Sequence, residues 1–512
     1  MKRVLSVLFS LLLVCGTFIF SLAAETDDCV ISNPYAEIDW NTIGQYKTAL
    51  HTHTNASDGD HTLKESLQRH METGFDIVAV TDHGTVDYGW ERDSSNRLIK
   101  TALNLFGRSE GDVVPIGSEG TFENGVGYTY ITGLNGDDFL KTDNGRTILR
   151  LPFGIENNAV SVNAHVTSWF ADYHDNTVTG YADAMRGVNA AGGLCVINHP
   201  GEYTKARYEL HSEDAYDESN AAYAYYINKF ASYIETCPAC IGIDMNSKGD
   251  NRTRFDRILW DKLLTRFSKT GRNVFAIASS DAHQLDVIDT GFSVLLLPAL
   301  SSSAAKQALQ NGTFFAASHC LGNMDELYEI AAALKTFYGA DNRTFQNVLS
   351  AADRMAQRIA DIESGVLEAD EDIGITYSVL NKDGYTTADS FPSIAGVSVS
   401  DEENTITFST EGAMLVRFIS NGKTIATLRA GEATLDLDDY KDVLGEYVRA
   451  EVFGEGGMLY TQPFLLNAEE NAAVGGKVTR GLFADLGTFD FLIAEVHRWL
   501  RIGRLFFKTL FQ

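Results

Sequence analysis

The chain has 512 residues, 44% of them hydrophobic, 11% aromatic and 21% charged, proportions that suit a folded protein with a sizeable core. That length fits two to four units at roughly 100–200 residues each. A formal net charge of −28 excludes a nucleic-acid scaffold, whose phosphates need a basic surface, and favours cationic or metal-loaded partners.

Residues 1–24 join Lys2 and Arg3 to an apolar run from Val4 to Leu22 and the small pair Ala23 and Ala24. This is the build of a secretory signal peptide and predicts export of the rest of the chain to the cell surface or beyond; an uncleaved anchor is the alternative. Val14 before Cys15 argues against lipidation, which needs a small residue there. After cleavage Cys29, Cys195, Cys237, Cys240 and Cys320 remain, odd in number and too sparse for a disulfide framework. "CPAC" at 237–240 suits a local disulfide or half a zinc site, and no second CxxC completes the latter.

Between Tyr46 and Leu297 short β-rich runs alternate with helical patterns, the signature of βα units and a parallel sheet. The runs are "YKTALHTHT", "FDIVAVTDHGT", "DVVPIGSEGT", "AVSVNAHVTSWF", "GGLCVINHPG", "CIGIDMNS" and "NVFAIASSDAH", each carrying ionisable residues toward its end. In a parallel barrel such strand ends converge on one rim. Residues 316–370 read as a helical segment, and 371–468 as a small antiparallel β-sandwich punctuated by turn sequences such as Ser420-Asn421-Gly422. Residues 485–512 form a predicted amphipathic helix, with His497, Arg498, Arg501, Arg504 and Lys508 on one face and residues such as Leu492, Val496, Trp499 and Phe507 on the other. It suits membrane or cell-surface contact.

"HTHTNASDGDH" at 51–61 holds three of the chain's 12 histidines. His51-x-His53 places two imidazoles on one side of a strand end, because alternate side chains share a face, and Asp281-x-His283 repeats the pattern on the last run. His51, His53, Asp58, His83, Glu119, His165, His199, Asp281 and His283 are the candidate metal ligands. Mixed imidazole and carboxylate suits Zn, Mn or Fe, and nine groups exceed the needs of one ion, so two or three divalent ions are expected. Glu119 and Asp281 are the candidate bridging carboxylates. Lys248, Arg252 and Arg254, after the sixth run, are candidate contacts to a phosphate-bearing substrate. Asp82 points away from the rim if the strand register holds, and His61, His70, His174 and His211 read as solvent-exposed.

In this order, His51-x-His53 with Ser57-Asp58-Gly59, then "AVTDHG", "GSEGT", "INHPG" and "SSDAH" resemble the motifs of the PHP family, the polymerase and histidinol phosphatase metal hydrolases. The similarity covers residues 46–315. It implies an α/β fold built on a distorted seven-stranded (β/α) TIM-like barrel with two or three divalent ions. It also implies that His51, His53, Asp58, His83, Glu119, His199, Asp281 and His283 hold metal and catalyse phosphoester hydrolysis, with His165 as an additional ligand. Asp244 stands where the family often has glutamate. The expected function is an exported phosphoesterase acting on a small phosphomonoester or a nucleotide-like diester through a metal-activated water; a metallohydrolase of an amide or ester bond and a non-catalytic surface-binding protein are the alternatives.

Overall fold

The structure, a computed structural model, describes residues 29–90, 119–158, 165–173, 180–367, 377–378 and 391–468. The expected signal peptide at 1–24, the amphipathic helix at 485–512 and His174 lie outside the described residues. Among the described residues no helix is long and apolar enough to cross a membrane.

A right-handed crossover is the natural product of the first two runs. Strand Gly44–Ala49 leads through the loop of 51–61 into helix Leu63–Glu72 and returns as strand Ile77–Val78, paired parallel to the first with Thr48 opposite Ile77. The helix starts where it does because Thr62 caps it. The Thr62 hydroxyl accepts the Glu65 backbone N–H at 3.2 Å, and the Glu65 carboxylate accepts the Thr62 N–H at 2.7 Å. Leu63, Leu67 and Met71 then recur on the buried face, and Gly74, at φ 85°, makes the exit that a side chain would strain.

After Ile77–Val78 the expected parallel alternation stops. The next partner, Thr147–Arg150, is the last strand of an antiparallel meander made with Glu119–Thr121, Gly127–Thr132 and Asp138–Thr142. A second sheet follows in the order Phe275–Ala278, Cys240–Asn246, Leu194–Ile197, His165–Trp169, Ile155–Asn158. Its first two pairings are parallel and its last two antiparallel. The fold is thus mixed α/β, and no continuous seven-stranded parallel ladder runs through the described residues. The two sheets instead meet through single parallel bridges, Thr52 with Ala282 and His83 with Glu156, and through the Ser293 hydroxyl, which accepts from Ala278 N–H at 3.3 Å and donates to its carbonyl at 3.1 Å. Strands Leu194–Ile197 and Cys240–Asn246 are buried throughout, as their near-continuous apolar sequences require.

Strand Gly291–Leu297 pairs with Gly44–Ala49 on one side and Phe314–Ser318 on the other. Beyond Phe314–Ser318 the same hydrogen-bonded sheet continues into Gly457–Thr461, Tyr447–Gly454, Ala413–Ser420 and Lys423–Arg429. A three-stranded sheet of Ser393–Ser400, Thr405–Glu411 and Glu432–Asp436 contributes Ile394, Phe408 and Leu435 to a core shared with Phe418, Val452 and Phe464. Helices Met324–Tyr338 and Arg343–Glu363 contribute Leu327, Ile330 and Val348 to a core shared with Leu259 and Phe453. The five cysteines from Cys29 to Cys320 are free thiols, including Cys237 and Cys240.

Candidate metal centre

The rim where the two sheets meet gathers imidazoles and carboxylates from six segments. His51 and His53 leave strand Gly44–Ala49 and are fully buried, with their Nε2 atoms 3.1 Å apart. Asp281 Oδ1 lies 3.4 Å from His51 Nε2 and 3.0 Å from His53 Nε2. Glu156 Oε2 lies 3.4 Å and 3.3 Å from the same two nitrogens. His83 Nδ1 approaches Glu156 Oε2 at 2.8 Å, and His165 Nδ1 approaches Oε1 at 2.9 Å. His199 Nε2 stands 3.3 Å from Glu156 Oε1 and 3.5 Å from Asp281 Oδ2. At the outer edge the half-exposed Asp58 lies 3.5 Å from His83 Nε2 and 3.2 Å from His283 Nε2.

Three overlapping donor groups result among the described residues: His53, Asp58, His83 and His283; His51, His53, Glu156 and Asp281; and His83, Glu156 and His165. Within each, the ligand atoms lie within 4.8 Å of one another. Their closeness is not that of ordinary hydrogen bonding. Among the described residues the buried His51 Nδ1, His83 Nδ1, His165 Nδ1, Glu156 Oε2 and Asp281 Oδ1 have no partner of hydrogen-bond geometry, while Asp281 Oδ2 is met by the Lys248 amine. Atoms that converge without pointing at each other point at a common space. Leaving one buried polar group unsatisfied costs about 1–3 kcal/mol, so cations seated among the donors would stabilise such a collection. Buried imidazole and carboxylate therefore fit divalent metal ions.

The electrostatics agree. Burial opposes ionisation of Glu156 and Asp281, yet both carboxyls are held well below their ordinary range, Glu156 by His165, His83 and His51, and Asp281 by Lys248 and His51. Burial likewise opposes a charge on His51, but Asp281 and Glu156 raise its pKa to about 10. His165 goes the other way: burial outweighs Glu156 and lowers it to about 4. Protons and metal ions thus compete for one set of donors.

No family model matches the chain, and no curated protein does. Two solved structures are similar to it in part. One, described as a two-domain protein containing a predicted PHP-like metal-dependent phosphoesterase from Bacteroides vulgatus, is 15% identical, covers 83% of this chain and 96% of its own, and has a TM-score of 0.32. The other, a lesion-specific endonuclease, EndoQ from Pyrococcus furiosus, is 12% identical, with 52% of this chain and 56% of its own covered and a TM-score of 0.26. Likenesses this distant decide neither fold nor chemistry, which rest on the cluster itself.

Around the donors stands a set of supporting groups. Asp82 is buried and accepts from Thr54 N–H at 2.7 Å, Thr54 Oγ1 at 2.7 Å and Ser57 Oγ at 2.6 Å, so it braces the loop carrying His53 and Asp58. Asn198 donates to Glu156 Oε1 at 2.6 Å and to Thr167 Oγ1 at 2.6 Å, which orients the carboxylate. Asp244 lies 3.7 Å from His51 Nδ1 and accepts from the Ser279 hydroxyl. Glu202, one turn after His199, faces His199 Nδ1 at 3.4 Å and Arg252 at 3.0 Å. A carboxylate behind a ligating imidazole fixes its tautomer and raises its basicity. His199 and Asp281 adopt positive φ of 23° and 48°, and Lys248, Gly249 and Asp250 follow one another at 52°, 61° and 65°. For a residue other than glycine that region costs roughly 1–2 kcal/mol.

Several expectations are corrected. Glu119 is exposed on the outermost strand of the meander, opposite Thr129, and belongs to none of the donor groups; Glu156 stands in two of them instead. The meander of 119–150 carries the chain out and back before strand Ile155–Asn158 reaches the rim, so Glu119, nearer to His83 in sequence than Glu156, is not the nearer of the two in space. None of the seven runs includes residues 155–158, so the run pattern held no signal for Glu156. Arg254 is buried, and its guanidinium donates to the carbonyls of Asn251 at 3.0 Å, Arg207 at 2.8 Å and Glu209, so it is a brace and not a substrate contact. Lys248 does reach the rim, against Asp281 and 3.9 Å from Glu202.

His61 and His70 are buried, contrary to their reading as exposed, while His211 is half-buried and pairs with Glu363 at 2.9 Å. His70 packs edge-on against Phe75, and its Nδ1 donates to the Ser66 carbonyl at 2.8 Å.

Proposed function

We propose that the chain is an exported metal-dependent phosphoesterase of PHP type, whose two sheets form a distorted barrel around two or three Zn, Mn or Fe ions. The observation that carries this reading is the run of three donor groups sharing His53, His83 and Glu156, because shared donors suit adjacent ions. His51, His53, Asp58, His83, Glu156, His165, His199, Asp281 and His283 would hold the ions. Bound there, divalent ions supply an activated water and neutralise charge on an ester's oxygens. The motif resemblance at 46–315 supports the PHP assignment, and the pattern of residues 1–24 supports export.

The protein's own groups set the conditions for that chemistry. Glu156 and Asp281 remain ionised despite burial, since the imidazoles and Lys248 around them hold their protons off. Asp82, Asn198, Asp244 and Glu202 keep the donors oriented. A phosphoester is favoured over an amide or neutral ester by the cations at the rim. Lys248 meets Asp281 and lies 3.9 Å from Glu202, and Arg252 lies 3.0 Å from Glu202, so basic groups stand at the rim where an anionic substrate would meet the cluster. Lys248 and Arg252 would take phosphate oxygens and hold the ester against the cluster.

Metal analysis of the purified protein, followed by a phosphate-release screen over monoesters and nucleotide diesters with Zn, Mn or Fe added, tests the proposal. Stoichiometric metal and turnover of at least one phosphate ester are expected. Turnover of amides or carboxylic esters alone would overturn it.

A further inference from the structure

Lys248 reaches Asp281 from a backbone that local preference does not supply. Three successive residues, Lys248, Gly249 and Asp250, lie in the left-handed region, and only the middle one is glycine. Something outside the loop must hold it. The Asp250 carboxylate is fully buried and is gripped at both oxygens by Arg257, Oδ1 by Nη1 at 3.0 Å and Oδ2 by Nη2 at 3.2 Å, while Gly322 N–H also donates to it. The fit at Gly322 is tight: a Cβ there would come within 2.6 Å of the Asp250 carbonyl.

The grip continues inward. Arg257 donates to Glu326 at 2.7 Å on helix Met324–Tyr338; Glu326 accepts from Arg417 at 3.2 Å, and Arg417 joins Glu451 on the C-terminal sheet. Arg449 closes the chain, 2.6 Å from Glu451 and 2.7 Å from Asp261. Buried charge networks of this kind add little net stability over apolar packing, but they impose one geometry, since losing any partner strands the others.

We infer that Asp250 and Arg257 are positioning residues for the reaction: their ion pair, seated on Glu326, holds the 248–250 turn so that the Lys248 amine stands at the metal rim, ready for a phosphate oxygen. The inference rests on the proposed phosphoesterase reading for the role of Lys248. Through Glu326, Arg417 and Glu451 it also makes the C-terminal sheet a contributor to the geometry of the site.

The test is a double-mutant cycle in the Mn-loaded protein, read by calorimetric binding of inorganic phosphate and by hydrogen exchange of amides 247–252. Asp250→Asn is expected to weaken phosphate binding roughly tenfold, with bound metal unchanged and exchange in 247–252 accelerated. In a Lys248→Met background the same substitution should add less than about twofold, because the group it positions is gone. Arg257→Lys should recover part of the affinity lost in Arg257→Met. Equal loss in both backgrounds, or accelerated exchange with undiminished phosphate binding, overturns the inference. Glu326→Gln, one link further from the loop, should give the same pattern at smaller size and replaces Asp250→Asn if that variant does not fold. A wild-type protein that binds phosphate but releases none from any ester defeats the phosphoesterase reading, while the cycle and the exchange rates still judge the clamp. A wild-type protein that binds no phosphate removes the role of Lys248 and with it the inference.

Discussion

His83 Nδ1 lies 2.8 Å from Glu156 Oε2, and the two residues form one of the two parallel bridges between the sheets among the described residues. One contact therefore both joins the halves of the fold and sets the centre of the donor cluster. Glu156→Gln is expected to lower bound metal and to reduce phosphate release at least a hundredfold, since even groups supporting a metal ligand cost roughly 10–100-fold when removed. Glu119→Gln, on the exposed edge, should leave both unchanged. Metal analysis and turnover on the two variants side by side decide which glutamate belongs to the centre.

Asp82 accepts three hydrogen bonds from the loop that carries His53 and Asp58. Asp82→Ala leaves those donors buried and unpaired, at about 1–3 kcal/mol each before relaxation. A fall in thermal midpoint together with a roughly 10–100-fold loss of metal affinity is expected. Melting with metal absent and metal titration by calorimetry separate the two effects; a loss of stability with undiminished metal affinity would show that the loop keeps its shape without Asp82.

Arg254 holds three backbone carbonyls of the 207–209 and 251 segments together. Arg254→Ala should destabilise the fold by about 1–3 kcal/mol in urea unfolding, while KM for a phosphate ester stays within about twofold. Lys248→Met should do the reverse, raising KM with little effect on the unfolding midpoint. A KM effect at Arg254 as large as at Lys248 would return it to the substrate site.

His70 and His319 are buried away from the cluster, and burial lowers both pKa values to about 3 despite hydrogen bonds to the Ser66 and Gly456 carbonyls. An unfolded imidazole titrates near 6.5. Folded stability from these residues is therefore complete above about pH 6.5 and is lost as pH falls toward 3, because the unfolded chain takes up protons that the folded chain refuses. Each histidine should contribute a slope of up to roughly 1.4 kcal/mol per pH unit in that window. Urea midpoints between pH 7 and 4 should drop less steeply for His70→Asn than for the parent, and parallel curves would show that His70 becomes protonated within the fold.

Much of the chemistry was legible in the sequence because it depends on local order. Side-chain alternation alone places His51 and His53 on one side, and their nitrogens are 3.1 Å apart. The mixture of imidazole and carboxylate at the ends of β-rich runs likewise specified metal chemistry before any contact was known. The alternation of strand and helix signals specified a mixed α/β fold.

What the tertiary structure decided is everything that depends on the direction in which a strand returns. His165 stands at the start of its strand, not the end, and reaches the rim because that strand runs antiparallel to both neighbours. Glu156 displaced Glu119 because an antiparallel meander separates the two along the chain and only the later one returns to His83. Arg254 turned inward, and His61 and His70 became buried, because burial is set by which distant segments pack over a residue. Periodicity reports which residues share a face of one element; strand pairing and packing join residues far apart in sequence, and no local pattern carries that information.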